Sequence, residues 1–192
     1  MGIHLLQGDI TELDIDCIVN AANEKLEPSG GVCGSIHKAA GPELAKECRR
    51  IGNCGVGESR ITKAYNLPSK YIIHTVGPIW HGGKKFEDQY LFNCYKKSLL
   101  LGTHYQIKSL AFPNISTGIY GYPKKQAAQI AIAVVKSHQK SPRKLEDVIF
   151  CCFDNENYKI YSELLEDTNI WLEIEEELIR IAGNQVFELG EA

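Results

Sequence analysis

Residues 147–153, D-V-I-F-C-C-F, form a run that is almost entirely apolar. A strand with one face in solvent alternates apolar and polar residues, so this run predicts a strand that is covered on both faces. Apolar periodicity predicts the other elements: strands at 3–6, 15–20, 59–65, 71–76 and 109–113, and helices at 35–50, 89–104, 124–139 and 157–166. This alternation predicts an α/β fold, a three-layer α/β/α sandwich with a mixed, mainly parallel central sheet.

The acidic residues are concentrated near the C-terminus. Of the 24 acidic and 21 basic residues, nine acids and one base lie in 163–192, which leaves 15 acids and 20 bases in the rest. A further helical pattern covers 170–182. We therefore expect one domain over 1–167, with a mildly basic body suited to an anionic ligand, and an acidic helical extension over 168–192 of unassigned role.

Several classes of protein are excluded by composition. No apolar run approaches the ~20 residues needed to span a bilayer, and no secretory signal is visible, so we expect a cytoplasmic protein without a membrane partner. The seven cysteines contain no C-x-x-C pair, and we expect most of them to be small buried groups in a reducing compartment, with neither metal nor cofactor. Basic runs interleaved with aromatic residues are absent, so we do not expect a nucleic-acid partner.

Two glycine-rich segments each follow a predicted strand and precede a helix. The first is G-G-V-C-G at 30–34 and the second is S-T-G-I-Y-G at 116–121. Glycine lets main-chain amides converge, and the N-terminus of the following helix attracts anions. Neither segment has the G-K-[ST] of a P-loop. One such segment alone would be explained by a tight turn, but two favour a site for both halves of a diphosphate.

Other polar residues near these segments have more than one interpretation. Asp9 could cap the next turn, and Asn20 and Asn23 could hold the turn after their strand. Cys33 stands four residues before His37, on the same face of a predicted helix. This spacing raises a thiol nucleophile with a histidine base as one hypothesis, and a buried structural cysteine as the other.

Five ordered motifs resemble the macrodomain family, and most closely its MacroD-type branch. They are G-D-I-T at 8–11, I-V-N-A-A-N at 18–23, G-G-V-C-G-S-I-H-K-A-A-G-P at 30–42, Y-I-I-H-T-V-G-P at 71–78 and F-P-N-I-S-T-G-I-Y-G-Y-P at 112–123. The resemblance covers about residues 3–165 and implies a macrodomain fold that binds ADP-ribose.

The resemblance also implies a role for each matching residue. Asp9 would accept a hydrogen bond from the adenine amine beside the Ile10 amide, and Phe153 would stack on the adenine. Asn23 would bind the distal ribose, supported by Asn20. Main-chain amides would hold the diphosphate and distal ribose, and they belong to Gly31, Val32, Cys33, Gly34, Ser116, Thr117, Gly118, Ile119 and Tyr120.

MacroD-type enzymes remove ADP-ribose esterified to Asp or Glu side chains of mono-ADP-ribosylated proteins, and they deacetylate O-acetyl-ADP-ribose without a metal. The resemblance implies the same activity here, with Asn23, Cys33 and Gly31 as catalytic residues. This branch usually has aspartate at the position of Cys33, where it orients or activates water. The cysteine leaves two alternatives: a hydrolase that relies on the substrate phosphate, or a non-catalytic module that only binds ADP-ribose.

Overall fold

A computed structural model describes residues 2–167 and residue 181, and its centre is a six-stranded sheet. The strands are β1 (Gly2–Gln7), β2 (Cys17–Ala21), β3 (Ser59–Lys63), β4 (Tyr71–Thr75), β5 (Ser109–Phe112) and β6 (Asp147–Cys152). Their order across the sheet is β1-β6-β5-β2-β4-β3. Only β3 runs antiparallel to its neighbour, with Ser59 opposite Thr75 in β4. The prediction of a mixed, mainly parallel sheet is confirmed.

In the described part of the chain, five α-helices cover the two faces of the sheet. They are α1 (Gly31–Ala40), α2 (Pro42–Ile51), α3 (Glu87–His104), α4 (Lys124–Gln139) and α5 (Asn155–Glu166). Helices α3, α4 and α5 pack in sequence on one face, while α1 contacts α2 on the other. Each face of the sheet has its own hydrophobic core, one with α3, α4 and α5 and the other with α1 and α2. Adjacent strand residues belong to different cores, since Cys152 lies in the first of these and Cys151 in the second. The three-layer sandwich is therefore as predicted, and all seven cysteines are buried where burial of most of them was expected.

The single helix predicted over 35–50 is wrong, because the chain forms two helices there. Gly41 ends α1 and precedes α2 with a φ of 83°, a conformation that side chains with a Cβ rarely adopt. Pro42 occupies the first position of α2, where a missing N–H costs nothing. The apolar periodicity continues across the break because Ile36, Ala40 and Leu44 all enter the same core.

Helix α1 also begins earlier than expected, at Gly31. Most of the first glycine-rich segment is thus the opening turn of a helix rather than a loop. Gly30 is the N-cap residue, and because glycine has no side chain, it supplies no side-chain oxygen to cap the first amides of α1. The first amides of an α-helix have no intrahelical acceptor, so this end of α1 presents free N–H groups.

The C-terminal extension predicted over 168–192 falls outside the described residues, except for Ile181. That residue is helical and buried, and it belongs to the core on the α3–α5 face. Within the described part of the chain, no helix has the length and apolar character needed to cross a membrane.

Candidate functional site

A cavity of about 750 Å³ opens at the carboxyl ends of the parallel strands. Ligands of open α/β sheets bind at this edge, where the segments that follow several strands converge. The walls come from the segments after β1, β2, β4, β5 and β6 and from the N-terminus of α1. The lining residues are Gly8, Asp9, Ile10, Ala21, Ala22, Asn23, Ser29, Gly30, Gly31, Val32, Ser35, Gly77, Pro113, Asn114, Ile115, Ser116, Thr117, Gly118, Ile119, Tyr120, Lys124, Cys151, Phe153, Asp154 and Asn157.

The second glycine-rich segment forms one wall and is held by main-chain hydrogen bonds. The amide of Gly121 donates to the carbonyl of Gly118 at 2.9 Å, and the amide of Tyr122 donates to that of Ser116 at 2.9 Å. Ser116 has a φ of 65°, a sparsely populated conformation for a residue with a side chain. All five predicted residues from Ser116 to Tyr120 line the cavity.

The first glycine-rich segment faces the second across the cavity. Gly31 and Val32 line it, and Ile119 reaches over from the second segment: a Cβ placed on Gly30 would lie 3.5 Å from the Cδ1 of Ile119. Gly34 is not among the lining residues. A Cβ at Gly34 would meet the carbonyl oxygen of Ser29 at 2.2 Å, so this glycine lets the preceding chain fold closely against α1.

Asp9, Ile10 and Phe153 lie together on the cavity wall, after β1 and β6. The Oδ1 of Asp9 accepts from the amide of Thr11 at 2.9 Å and from its hydroxyl at 2.7 Å, and it caps the short 3-10 helix Ile10–Glu12. The capping role considered for Asp9 is therefore confirmed. Phe153 is 79% exposed. An aromatic face left open on a cavity wall suits stacking on a planar ligand group.

Asn23 lines the cavity, and both the oxygen and the nitrogen of its side-chain amide make hydrogen bonds that hold the turn after β2. Its Oδ1 accepts from the amides of Lys25 and Glu27, both at 3.1 Å, and its Nδ2 donates to the carbonyl of Glu27 at 2.8 Å. The interpretation of Asn23 as a turn-holding residue is thereby confirmed. These bonds fix its side chain at the edge of the cavity, between the end of β2 and the N-terminus of α1.

Asn20 and Cys33 lie behind the cavity wall and are not among the lining residues. The Nδ2 of Asn20 donates to the Sγ of Cys33 at 3.6 Å and to the Nδ1 of His74 at 3.1 Å. Because Nδ1 accepts, the neutral imidazole of His74 carries its proton on Nε2, which donates to the Oγ1 of Thr62 at 2.9 Å. Burial, reinforced by the nearby His37, lowers the pKa of His74 to about 3. A chain of neutral hydrogen bonds therefore runs from β3 to α1.

The structure does not form the Cys33–His37 pair that a thiol hydrolase needs. The thiol of Cys33 donates instead to the carbonyl of Glu27 at 3.5 Å. Both ring nitrogens of His37 are buried and have no hydrogen-bond partner among the residues that the structure describes, and burial lowers the pKa of this histidine. A nucleophilic thiol requires a base within hydrogen-bond reach, so the observed contacts favour the structural interpretation of Cys33.

Three polar residues of the cavity received no role from the sequence. Asp154 caps α5 by accepting from the amide of Asn157 at 2.8 Å, and Lys124 pairs with Asp154 and with Glu156. Burial would raise the pKa of Asp154, but hydrogen bonds from Asn157 and the nearby Lys124 outweigh it and lower the pKa. Asp154 and Asn157 belong to the polar segment D-N-E-N at 154–157, which follows the buried strand 147–153 as the two glycine-rich segments follow theirs. Lys124, at the start of α4, had no such signal.

The described residues contain no set of side chains that is arranged to bind a metal ion. No group of three or more His, Cys, Asp or Glu side chains among them is arranged to hold a metal ion. The cavity instead offers main-chain amides, one paired lysine and an open aromatic face.

A mixed sheet between two helical layers, with amide-rich segments facing one cavity at its carboxyl edge, defines a ligand-binding α/β/α domain. The family model of the Macro domain matches residues 19–131, more than half of the chain. The chain belongs to the macrodomain family, as its motifs predicted.

Relatives and solved structures agree with this assignment. A Macro domain-containing protein of Chlorobaculum tepidum is 51% identical over 163 residues, which are 85% of this chain and 95% of that protein. The O-acetyl-ADP-ribose deacetylase of Escherichia fergusonii is 48% identical over 167 residues, 85% of this chain and 94% of that protein.

Among solved structures, the Oceanobacillus iheyensis macrodomain with ADP has a TM-score of 0.81 at 41% identity, over 84% of this chain and 88% of that chain. The Trypanosoma brucei macrodomain in complex with ADP-ribose has a TM-score of 0.77 at 38% identity, over 85% of this chain and 68% of that chain.

Proposed function

We propose that this protein binds ADP-ribose and hydrolyses esters on its distal ribose, both those to Asp or Glu side chains of mono-ADP-ribosylated proteins and that of O-acetyl-ADP-ribose. The observation that carries the proposal is the cavity itself, in which Gly31 and Val32 face the segment from Ser116 to Tyr120. Two amide-rich walls on opposite sides suit a diphosphate, whose charge is spread over oxygens on both phosphates. The relative from Escherichia fergusonii is named for the second of these reactions.

The adenosine half would bind beside the end of β1. Both intramolecular bonds of Asp9 go to Oδ1, and Oδ2 would accept from the adenine amine while the amide of Ile10 donates to the ring. The exposed ring of Phe153 would stack on the base. Each of these groups suits the chemistry of its partner: a carboxylate for an amine, an amide for a ring nitrogen and an aromatic ring for a base.

The diphosphate and distal ribose would occupy the space between the two glycine-rich segments. The free amides of Gly31 and Val32 at the start of α1, and those from Ser116 to Tyr120, would donate to the phosphate oxygens. Asn23, fixed at the cavity edge by its bonds to Glu27, would lie beside the distal ribose, with Asn20 supporting the wall from behind.

The reaction would be an ester hydrolysis. A water molecule held against the substrate diphosphate attacks the ester carbonyl, the bond between that carbon and the ribose oxygen breaks, the acid leaves and the ribose recovers its hydroxyl. The substrate phosphate would accept the proton of the attacking water, and Asn23 with the Gly31 turn would orient it. Cys33 contributes by holding the wall behind Asn23 through the carbonyl of Glu27.

The alternative is a reader module that binds ADP-ribose without turnover. One observation favours it: the position of the usual aspartate is a neutral thiol that points away from the cavity, toward Asn20 and Glu27. A general base normally contributes about 10²–10⁴-fold to a rate, so its absence leaves less catalytic power.

Incubation of the protein with a glutamate-ADP-ribosylated protein separates the two functions. Release of ADP-ribose by the wild type, and none by a Gly118→Glu variant that blocks the cavity, is the expected result. O-acetyl-ADP-ribose should be deacetylated in parallel. Tight binding of ADP-ribose with no release from either substrate would leave the reader as the function.

The proposal includes a cytoplasmic location. All seven cysteines are free and buried, which suits a reducing compartment. The substrates are nucleotide derivatives and modified proteins, and no cofactor is required by a hydrolysis of this kind.

A further inference from the structure

The segment 79–86, between β4 and α3, presents an apolar and basic surface. Ile79 is 52% exposed and Phe86 is 70% exposed. Lys84 and Lys85 are both exposed, and neither takes part in the ion pairs formed among the described residues. No acidic residue lies between 79 and 86. An exposed apolar patch that is rimmed by polar or charged side chains marks a surface that binds a partner.

A buried carboxylate holds this segment in shape. Glu87 is 1% exposed and accepts from three main-chain amides: that of His81 at 2.8 Å, that of Gly83 at 3.2 Å and that of Lys85 at 2.5 Å. These donors compensate for the burial of the charge and tie the backbone of 81–85 to the start of α3. The surface is therefore preformed, which reduces the entropy cost of binding.

The segment adjoins the wall of the cavity. The amide of Trp80 donates to the carbonyl of Tyr120 at 2.8 Å, and the ring of Trp80 lies 4.6 Å from that of Tyr122. Tyr120 lines the cavity, and its neighbour Ile119 is 88% exposed. An apolar side chain thus stands on the cavity wall next to the residue that holds 79–86.

We propose that segment 79–86 docks the polypeptide of an ADP-ribosylated protein and favours modification sites flanked by further acidic residues. This inference rests on the proposed ADP-ribose site. With the distal ribose beside the 116–120 wall, an attached polypeptide leaves the cavity next to segment 79–86. Lys84 and Lys85 complement acidic flanking residues, while Ile79 and Phe86 supply apolar contact area.

The test compares affinities for two peptides that carry ADP-ribose on a glutamate-like side chain through a hydrolysis-resistant linkage. One peptide has Asp and Glu on both sides of the modified residue, and the other has Ala. We expect the acidic peptide to bind roughly three- to tenfold more tightly, because exposed charge pairs contribute modestly. The preference should disappear at 1 M salt, where the screening length falls to about 3 Å.

A Lys84→Glu/Lys85→Glu variant should lose this preference while its affinity for free ADP-ribose stays unchanged. Phe86→Asn should weaken the binding of both peptides equally, because it removes an apolar contact that does not depend on the charge of the flanking residues. Asparagine tolerates the left-handed φ of 60° at this position, so the backbone should be preserved. A Lys63→Glu/Lys144→Glu variant provides the matched control. These two exposed lysines lie at the opposite end of the sheet, so the same change of charge should leave the preference intact.

Equal affinity of the wild type for both peptides would overturn the docking surface, and so would a parallel loss of free ADP-ribose binding in the Lys84→Glu/Lys85→Glu variant. Failure of the wild type to bind free ADP-ribose is a separate outcome, which would overturn the proposed function itself. Because affinity is measured, the docking surface is tested equally in a hydrolase and in a reader.

Discussion

Asn23 and Cys33 donate to the same acceptor, the main-chain carbonyl of Glu27. Asn23 lines the cavity, whereas Cys33 is buried behind the wall and also accepts from Asn20. The thiol is thereby connected to the cavity through one carbonyl oxygen. In the proposed reaction, this relationship would make Cys33 a positioning residue for Asn23, a role that needs no thiolate.

Replacement of Cys33 distinguishes positioning from nucleophilic attack. In Cys33→Ser the hydroxyl can donate to Glu27 and accept from Asn20 once these groups move slightly closer to the shorter side chain, so we expect ester turnover within about threefold of the wild type. In Cys33→Val both bonds are lost at similar volume, and we expect about 1 kcal/mol less stability together with a lower kcat. Steady-state kinetics and urea unfolding measure these effects. A well-folded Cys33→Ser variant with turnover reduced a hundredfold would instead identify the thiol as a nucleophile.

Gly118→Glu should abolish ADP-ribose binding and leave the fold intact. A Cβ at Gly118 would meet no atom within 4 Å, so the added side chain has room, but it brings bulk and negative charge into the proposed diphosphate site. Calorimetric titration with ADP-ribose and thermal unfolding are the measurements. Gly55→Glu is the matched control, because Gly55 is exposed and does not line the cavity. Retained wild-type affinity in Gly118→Glu would remove the second glycine-rich segment from the binding site.

Asp9→Asn separates capping from adenine recognition. The asparagine Oδ1 can still accept from Thr11, which preserves the 3-10 helix, but its NH₂ would face the adenine amine with a donor. We expect affinity for ADP-ribose to fall by about 1–3 kcal/mol with little change in stability. Asp14→Asn, at an exposed position outside the cavity, makes the same chemical change and should have no effect on binding. An Asp9→Asn variant with unchanged affinity would place the adenine elsewhere.

His74 should make the protein less stable at mildly acidic pH. Its pKa is about 3 in the folded state, against an ordinary value of 6.5. Above pH 6.5 the ring is neutral in both states. Between pH 6.5 and pH 3, His74 binds a proton in the unfolded chain but stays neutral in the folded chain, so the free energy of unfolding falls as pH falls toward 3. At pH 5 this effect amounts to about 2 kcal/mol.

His74→Gln tests this source of pH dependence. Glutamine keeps one acceptor and one donor but does not titrate, so the variant should lose less stability than the wild type between pH 7.5 and pH 5, as measured by urea unfolding. His104→Gln, at an exposed site, should retain the wild-type slope. Equal slopes in wild type and His74→Gln would show that protonation of His74 is not coupled to unfolding.

The fold was largely predictable because its signals are local. Buried parallel strands require continuous apolar runs, and the run at 147–153 became β6 with Phe150 in one core and Cys151 in the other. The helix break at Gly41 was missed because the same apolar stripe continues from α1 into α2. Periodicity reports which face is buried, whereas this break depends on the positive φ of one glycine, and the spacing of apolar residues carries no information on that backbone angle.

By itself, the sequence determined the alternation of strands and helices, the family and the two glycine-rich segments, because each depends on residue type and spacing along the chain. Only the tertiary structure decided how the residues after different strands meet. It placed Asp154, Asn157 and Lys124 in the cavity, turned Cys33 away from it toward Glu27, and set segment 79–86 against Tyr120. The direction of a side chain on α1 is fixed by how that helix packs on the sheet, and this packing joins residues that are distant in the chain.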